Sequence, residues 1–208
     1  MRFADRAEAG RVLADHLAHL RAEAPIVLGL PRGGVPVAAQ VAARLGAPVD
    51  VVLVRKVGAP GHPELAVGAV GEGGVTVRSD QLLRELDLTW ADVAHTAAAE
   101  RDEILRRARS LRGGDPAPDI TGRTVILVDD GVATGATVAA AVRVVRGRGA
   151  GRVVVAAPVA PADVVARLRL IADEVVCPMT PRHFHAVGHW YEDFAQVEDA
   201  EVRAILGR

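Results

Sequence analysis

One strand–loop–helix stretch in the second half of the chain constrains its fold more than any other feature. Residues 125–128 are four consecutive apolar residues, three of them β-branched. Such a run is typical of a strand that is buried on both faces of a parallel sheet. Asp129 and Asp130 stand at its carboxyl end, and a small-residue loop over 133–137 and an Ala/Val-rich helix over 138–145 follow. This order predicts a βα unit of an α/β domain.

The loop of this unit has the chemistry of a phosphate site. Its backbone N–H groups and the helix N-terminus converge on one spot and favour an anion there. Thr134 and Thr137 add hydroxyl donors, and Gly135 lets the backbone approach closely. Asp129 and Asp130, which we expect in a surface crevice, can accept hydrogen bonds from sugar hydroxyls or help to hold Mg²⁺. The residues predict a sugar phosphate as ligand, with an ordinary βα junction carrying surface acids as the alternative.

These residues closely resemble the phosphoribosyl-diphosphate (PRPP) binding motif of type I phosphoribosyltransferases. The resemblance implies that Asp129 and Asp130 hold the ribose 2′- and 3′-hydroxyls. It also implies that the loop binds the 5′-phosphate through Ala133, Thr134, Gly135, Ala136 and Thr137. Gly131 departs from the pattern, since the family usually has an apolar residue there. The likeness extends over about residues 26–159, and the chain looks like the stand-alone "predicted phosphoribosyltransferases" whose base is undefined.

A second strand–turn–helix unit precedes this one near the N-terminus. Residues 26–30 are predicted as a buried strand and residues 35–45 as an Ala/Val helix with a tolerated proline at its start. The glycine turn between them contains Arg32, Gly33 and Gly34. In the resembled family the corresponding loop embraces the pyrophosphate of PRPP, which implies that role for these three residues. A Gly-Gly turn that only reverses the chain is the alternative.

Two basic residues follow the next predicted strand, which covers residues 49–54. Arg55 and Lys56 come at its carboxyl end, where the other strands carry their phosphate loops, so their charge points at the ligand crevice. Strand alternation places the two side chains on opposite faces. We choose Lys56, the only lysine of the chain, to meet the pyrophosphate, and keep Arg55 as a further candidate for binding PRPP. A solvated strand end is the alternative.

The interval around residues 57–77 is predicted to be a lid loop. Residues 58–64 are rich in Gly and Pro and lack a helical or strand period, and a glycine-punctuated, hairpin-like stretch follows over 66–77. The resemblance implies a mobile catalytic loop here, which would close over PRPP and exclude water. Glu64 is the predicted catalytic residue of the loop and His62 its other ionisable candidate, although either could be an ordinary exposed loop residue.

A helical insertion is predicted over residues 79–112, with helices over 81–87 and 90–111. The second helix carries a mixed-charge face that suits pairing between residues four apart. We interpret it as a solvated helix or half of a dimer interface, and nucleic-acid binding is the alternative.

The tail over residues 179–208 is compositionally distinct and is predicted to be a hood beside the N-terminal helix, ending in a helix over 199–206. Four of the six aromatic residues of the chain lie in it. Aromatic faces stack on nucleobases and imidazoles bond their edges, so the base-binding candidates are Phe184, His185, Trp190 and Tyr191. Aromatic side chains that only pin the final helix to the body are the alternative. A metal site built on the three histidines of the tail lacks a completing ligand.

Size and composition suit one α/β domain of three α/β/α layers with a mainly parallel sheet, its core over 1–178 and the hood after it. A net charge of −1 over 208 residues gives no argument for nucleic acid or an anionic membrane. Cys177 is the only cysteine, which fits a reducing cytoplasm, and no apolar run approaches membrane-spanning length. We therefore expect a cytoplasmic protein with no membrane partner, and we allow for a homodimer.

The motifs imply Mg²⁺-dependent transfer of 5-phosphoribosyl from PRPP to a nucleobase-like acceptor, with release of pyrophosphate, as in nucleotide salvage. The candidate catalytic residues are Lys56, Glu64 and Asp130. Mg²⁺ would arrive with PRPP and be met indirectly by Asp129 and Asp130. Ala133 stands where 6-oxopurine enzymes of the family carry an aspartate, which disfavours hypoxanthine and guanine. The alternative is a non-catalytic regulator of the same fold that senses PRPP or a nucleotide.

Overall fold

The computed structural model describes residues 2–208, apart from the side chains of Pro63 and Glu64. The strands are β1 (Ile26–Gly29), β2 (Val49–Val51), β3 (Val54–Ala59), β4 (His62–Gly71), β5 (Thr76–Arg78), β6 (Thr124–Val128), β7 (Arg152–Ala156) and β8 (Glu174–Val176). The α-helices are α1 (Arg6–His16), α2 (Gly34–Leu45), α3 (Asp80–Glu85), α4 (Trp90–Arg112), α5 (Ala136–Gly147), α6 (Ala162–Leu168) and α7 (Asp199–Ile205). Within this described part, no helix is both long and apolar enough to cross a membrane.

A five-stranded parallel sheet in the order β2-β1-β6-β7-β8 forms the centre of the fold. Its middle strands are buried on both faces, which is why their sequences are continuously apolar instead of alternating. Val27 and Ile126 share a core with α1 and α2 on one face. Leu28 and Leu127 share a core with α5 and α6 on the other. This arrangement confirms the predicted three-layer α/β/α architecture.

A second, antiparallel sheet in the order β3-β4-β5 shares a separate core with α4 and α7. The prediction of one strand over residues 49–54 was wrong, because β2 ends at Val51 and β3 begins the new sheet at Val54. Residues 58–64, predicted as irregular, include the β3–β4 connection, where Ala59 pairs with His62. The hairpin-like stretch over 66–77 is confirmed by the antiparallel pairing of β4 with β5.

Close packing accounts for two glycines of β4 that in the sequence resembled loop signals. A Cβ atom at Gly68 would lie 2.7 Å from the Trp90 ring, and one at Gly71 would lie 2.2 Å from a methyl group of Val144. These glycines therefore let α4 and α5 pack directly on the antiparallel sheet. Movement of residues 57–77 as a lid stays a prediction.

A buried ion cluster fastens the antiparallel sheet to the parallel one. Arg112, at the end of α4, has a side chain that is only 1% exposed and donates to both carboxylate oxygens of Glu72. It also donates to Asp50 Oδ1 and to the Val51 carbonyl oxygen, each at 2.7 Å. Glu72 accepts a further bond from the N–H of Leu53 at 3.3 Å. The cluster thus joins α4, the turn after β4 and the point where the chain passes from one sheet to the other.

We expect Arg112→Met to lower the free energy of unfolding by about 3–5 kcal/mol, because it leaves the Glu72 carboxylate buried without its cation. Urea unfolding of the variant and the parent protein would measure the difference. Arg106→Met is the matched control, since Arg106 pairs with Glu103 on the surface of the same helix and such pairs contribute about 0–1 kcal/mol. Similar losses in the two variants would contradict a structural role for the buried cluster.

Candidate active site

The carboxyl ends of β1 and β6 bring the two predicted ligand loops together. These strands are parallel neighbours, with Gly29 paired to Val128. The N–H of Leu30 donates to the Val128 carbonyl oxygen at 2.8 Å, so the pairing continues to the residue before the turn. The turn over 31–34 and the loop over 129–137 therefore lie side by side at the edge where α/β sheets bind ligands.

The glycine turn approaches the acidic pair so closely that larger residues have no room. A Cβ atom at Gly33 would lie 1.9 Å from Oδ2 of Asp130. A Cβ atom at Gly34 would lie 2.5 Å from the Val128 carbonyl oxygen and 2.9 Å from Cα of Asp129. The two glycines thus place the turn directly against the acids.

Asp130 is buried and already has a cationic partner. The residue is 9% exposed, and Arg6 Nε donates to its Oδ2 at 2.8 Å. The Tyr191 hydroxyl donates to the Asp130 carbonyl oxygen. Burial raises the pKa of the Asp130 carboxyl, and the hydrogen bond and charge of Arg6 oppose that rise. The expectation of an open crevice was wrong for this residue, because Arg6 of α1 and Tyr191 of the tail contact it.

The ionised form is less favourable for Asp129 than for Asp130. Its side chain is only partly exposed, and its Oδ1 accepts from the N–H of Asp130 at 2.9 Å. Burial, and then the negative charge of Asp130, raise the pKa of Asp129 well above its ordinary value of 3.8. A cation brought in by a ligand would favour the ionised form of this carboxyl.

The predicted phosphate loop is largely exposed. Ala133, Thr134, Ala136 and Thr137 lie at the surface, and Gly135 adopts φ 80° directly before α5. That backbone angle requires glycine for practical purposes. The N–H of Ala136 reaches Thr134 Oγ1 at 3.4 Å, and the N-cap residue supplies no side-chain hydrogen bond. The start of α5 can therefore offer N–H donors to an anion.

A small cavity of about 80 Å³ adjoins both loops and contains two arginines. Its wall includes Pro31, Thr137, Arg55 and Arg107. Arg55 also pairs with Glu100, at 2.6 Å between Nε and Oε2. The sequence placed Arg55 and Lys56 on opposite faces of a parallel strand, with Lys56 towards the crevice. Both instead lie on β3 of the antiparallel sheet, and Arg55 is the one that lines this cavity.

Lys56 stands on β3 and is partly buried. It is therefore not at the carboxyl end of a parallel strand, as the sequence had indicated, and it is not among the residues that line the cavity beside Thr137. Its role in binding or catalysis stays a prediction. Glu64, the other catalytic candidate from this interval, has a side chain outside the described residues, while His62 is exposed at the start of β4.

Arg32 is directed to the C-terminal tail. Its peptide bond with Pro31 is cis. Its Nη1 lies 3.6 Å from Glu198 Oε2. With the Gln196 amide oriented to satisfy both groups, its oxygen accepts from Arg32 Nη2 at 2.5 Å. The turn therefore carries a cation that the tail holds beside the site.

The aromatic residues of the tail divide into two groups. Tyr191 is 3% exposed, with its ring 5.6 Å from that of Phe3 and 5.0 Å from that of Phe194. This part of the tail is pinned to the body, and the Tyr191 ring, predicted to bind a base, is covered by protein. Phe184 and Trp190 instead stack on each other at the partly exposed side, with ring centres 6.5 Å apart.

Histidines of the tail do not form a metal site in the described part of the chain. His185 is exposed and lies with its ring centre 6.1 Å from that of His189. Among the described residues, no group of three His, Cys, Asp or Glu side chains is arranged to hold a metal ion.

The tail also explains why residue 131 is glycine. A Cβ atom at Gly131 would lie 2.4 Å from one methyl group of Val187 and 3.2 Å from one of Val159. Val187 therefore fills the space that an apolar side chain at position 131 would occupy.

Sequence reasoning missed Arg6 and Arg107. Arg6 reaches Asp130 across 124 residues of sequence, and Arg107 belongs to the charged face of α4 that looked like a solvated surface. No local spacing marks either arginine, because both are brought to the site only by the packing of helices.

We expect Gly33→Ala to lower the free energy of unfolding by about 1–3 kcal/mol, because its methyl group must displace the Asp130 carboxylate. The backbone of Gly33, at φ −61° and ψ −33°, accepts alanine, so the clash is the cause. Urea unfolding would measure the loss. The same substitution in an Asp130→Ala background should be much less destabilising; equal losses in both backgrounds would contradict the close approach.

We expect Asp129→Asn to stabilise the unliganded protein at neutral pH by on the order of 1 kcal/mol. Folding raises the pKa of Asp129, so the charged carboxylate lowers the free energy of unfolding. This loss begins as the pH rises above the unfolded pKa and is complete above the raised folded pKa. The gain should therefore shrink as the pH falls towards 3.8. Urea unfolding at pH 7.5 and at pH 4.5 would test this, with Asp102→Asn at an exposed aspartate of α4 as control. A less stable Asp129→Asn protein at pH 7.5 would contradict it.

Comparison of the whole sequence with known proteins points to the same family as the motif does. The family model described as the phosphoribosyl transferase domain matches residues 4–192. Two Mycobacterium tuberculosis proteins, provisionally named as phosphoribosyl transferases, are 52% identical to this chain over 209 residues. The alignment covers 99% of this chain and 46% of each of theirs, so the chain spans about half the length of these curated relatives.

Solved structures share the fold of this chain. The crystal structure of TT1426 from Thermus thermophilus is 54% identical, with a TM-score of 0.92, over 99% of this chain and 98% of that one. AQ2163 from Aquifex aeolicus shares the fold alone, at 12% identity and a TM-score of 0.53 over 97% of this chain and 85% of that one. By its motif, its matched domain and these relatives, the chain belongs to the phosphoribosyl transferase family.

Proposed function

We propose that this chain transfers the 5-phosphoribosyl group of PRPP to a nitrogenous base, with Mg²⁺, and releases pyrophosphate. The observation that carries the proposal is the contact between the Gly33–Gly34 turn and the Asp129–Asp130 pair at the ends of β1 and β6. Two loops suited to phosphate groups thereby flank two carboxylates suited to a sugar.

The three parts of PRPP correspond to three parts of this edge. The 5′-phosphate would accept hydrogen bonds from Thr134, Thr137 and the first N–H groups of α5. The ribose would lie at the acids, and the pyrophosphate would lie along the glycine turn. Arg55 and Arg107 line the cavity between that turn and Thr137 and would balance its negative charge.

The chain's residues would act mainly by holding the reactants. Early cleavage of the bond between C1 and the pyrophosphate oxygen gives a sugar cation of oxocarbenium character, as in glycoside hydrolysis. Fixed donors and cations around the leaving pyrophosphate lower the barrier to that step. Bound Mg²⁺ would supply charge neutralisation at the pyrophosphate, and the raised pKa of Asp129 fits a cation nearby. Lys56 and Glu64 remain candidates for catalysis.

The acceptor would bind on the tail side of the site. The stacked and partly exposed rings of Phe184 and Trp190, with the exposed His185, are the candidates for contact with a base. Ala133 offers no carboxylate for the purine N7, which favours acceptors other than 6-oxopurines. A salvage role, a cytoplasmic location and a homodimer stay predictions from the sequence.

We expect pyrophosphate release from PRPP and Mg²⁺ that depends on one base of a panel of adenine, guanine, hypoxanthine, xanthine, uracil and orotate. The double variant Asp129→Asn with Asp130→Asn should lose this release and bind PRPP at least about tenfold more weakly, since both charged acceptors for the ribose are gone. Asp102→Asn, at an exposed aspartate of α4, should behave like the parent protein.

Calorimetric titration with PRPP distinguishes a protein that binds PRPP without transferring its sugar from one that does not bind it. PRPP binding without base-dependent release would favour a ligand-sensing regulator over a transferase. Undiminished PRPP affinity in the double variant would contradict the site itself.

A further inference from the structure

We propose that Arg6 is a positioning residue of the pentose-phosphate site, which fixes the orientation of the Asp130 carboxylate and connects it to the C-terminal tail. The inference rests on the proposed function, because it assumes that Asp130 meets the ribose. It assigns to the N-terminal helix a role in the site that no local motif of the sequence indicates.

Arg6 makes three different contacts with one guanidinium group. Nε donates to Asp130 Oδ2 at 2.8 Å, and Nη1 donates to the Ala195 carbonyl oxygen at 2.7 Å. The plane of the Phe194 ring lies beneath the group, with Cζ 4.0 Å from the ring centre. The side chains of Arg6 and Asp130 are 12% and 13% exposed. A planar cation held on two edges and one face has little freedom to turn, so it fixes the carboxylate that it binds.

The same segment of the tail also holds the turn on the other side of Asp130. We call residues 194–198 the strap. Phe194 and Ala195 contact Arg6, whereas Gln196 and Glu198 contact Arg32. The strap thus links an arginine that binds the acid to an arginine of the turn predicted to hold pyrophosphate.

Arg6 supplies the positive charge among the groups that surround the Asp130 carboxylate. Asp129 is the neighbouring carboxyl, and the Tyr191 side chain faces the same position. Among these groups Arg6 is the cation, and the Gly33 turn packs against Oδ2 on the other side. With Oδ2 held by Arg6, Asp130 would present Oδ1 to a ribose hydroxyl. Without Arg6, the two adjacent carboxylates would lie in a partly desolvated site with no cation bonded to Asp130, and Asp130 Oδ2 would lose the donor that holds it.

Arg6 could instead be a competitor for Asp130 that a ligand must displace, or only a structural anchor of α1. The three roles predict different results. A positioning residue strengthens the binding of ligands that contain the ribose, and a competitor weakens it. A structural anchor affects the binding of every ligand and the stability alike.

The test is calorimetric titration of Arg6→Ala, Arg6→Lys and the parent protein with PRPP, ribose 5-phosphate and inorganic pyrophosphate, all in Mg²⁺. We expect Arg6→Ala to weaken PRPP and ribose 5-phosphate by about 10- to 100-fold, the range for a lost hydrogen bond to a charged group, and to leave pyrophosphate binding unchanged. Arg6→Lys should restore part of the lost affinity. Arg11→Ala, at an exposed arginine of the same helix, is the control and should bind all three ligands like the parent protein.

A second variant tests the link to the strap without removing the cation. Phe194→Leu should weaken PRPP binding several-fold, and its effect should largely vanish in the Arg6→Ala background because both act on one element. Thermal melts check that each variant is folded, and Phe194→Leu with Arg6→Lys carries the test if Arg6→Ala does not fold.

Three outcomes would overturn the role of Arg6. These are tighter binding of PRPP by Arg6→Ala, equal weakening of all three ligands, and additive effects of Arg6→Ala and Phe194→Leu. Failure of the parent protein to bind PRPP is a different result, since it would contradict the proposed function before Arg6 is considered.

Discussion

The parallel pairing of β1 with β6 places the two ligand loops in contact, and the remaining features of the site depend on it. Gly29 pairs with Val128, and the next N–H along the chain continues the pairing. Because both strands are buried on both faces, a slip in their pairing would displace apolar side chains from the two cores that they fill. The glycine turn is therefore held so close to Asp130 that a Cβ atom at Gly33 would clash with its carboxylate. The proposed sugar-phosphate site needs this rigidity, since the proposed transfer depends on holding the reactants more than on any single reactive side chain.

Charge is arranged around this frame in two separate ways. Away from the site, Arg112 and Glu72 form a buried pair that joins the antiparallel sheet to the parallel one. At the site, Asp129 and Asp130 lie adjacent with raised pKa values, and Arg6 forms an ion pair with Asp130 alone. The first arrangement stabilises the fold, whereas the second leaves negative charge that a cation brought by a ligand can neutralise. This difference is typical of binding sites, which retain unfavourable charge for function.

The termini of the described chain meet over the acids. Phe3 and Arg6 from the start of the chain contact Tyr191, Phe194 and Ala195 from the tail. The covered Tyr191 ring supports the alternative in which part of the tail is an anchor, while the stacked rings of Phe184 and Trp190 stay partly exposed. The same tail also packs on the acidic loop, and Gly131 is small because Val187 of the tail occupies the space beside it.

The sequence alone was enough to predict the parallel sheet, its three layers and the family, because these depend on local patterns: continuous apolar runs, a strand–loop–helix order and glycines at fixed places. It did not determine where Arg55 and Lys56 lie, because a strand that leaves one sheet for another loses the face that alternation assigns to it. It also contained no sign of Arg6 at Asp130 or Arg107 beside Thr137, since these contacts join residues far apart in sequence. Only the tertiary structure decided which cations reach the site, because long side chains are positioned by the packing of whole helices and carry no local spacing of their own.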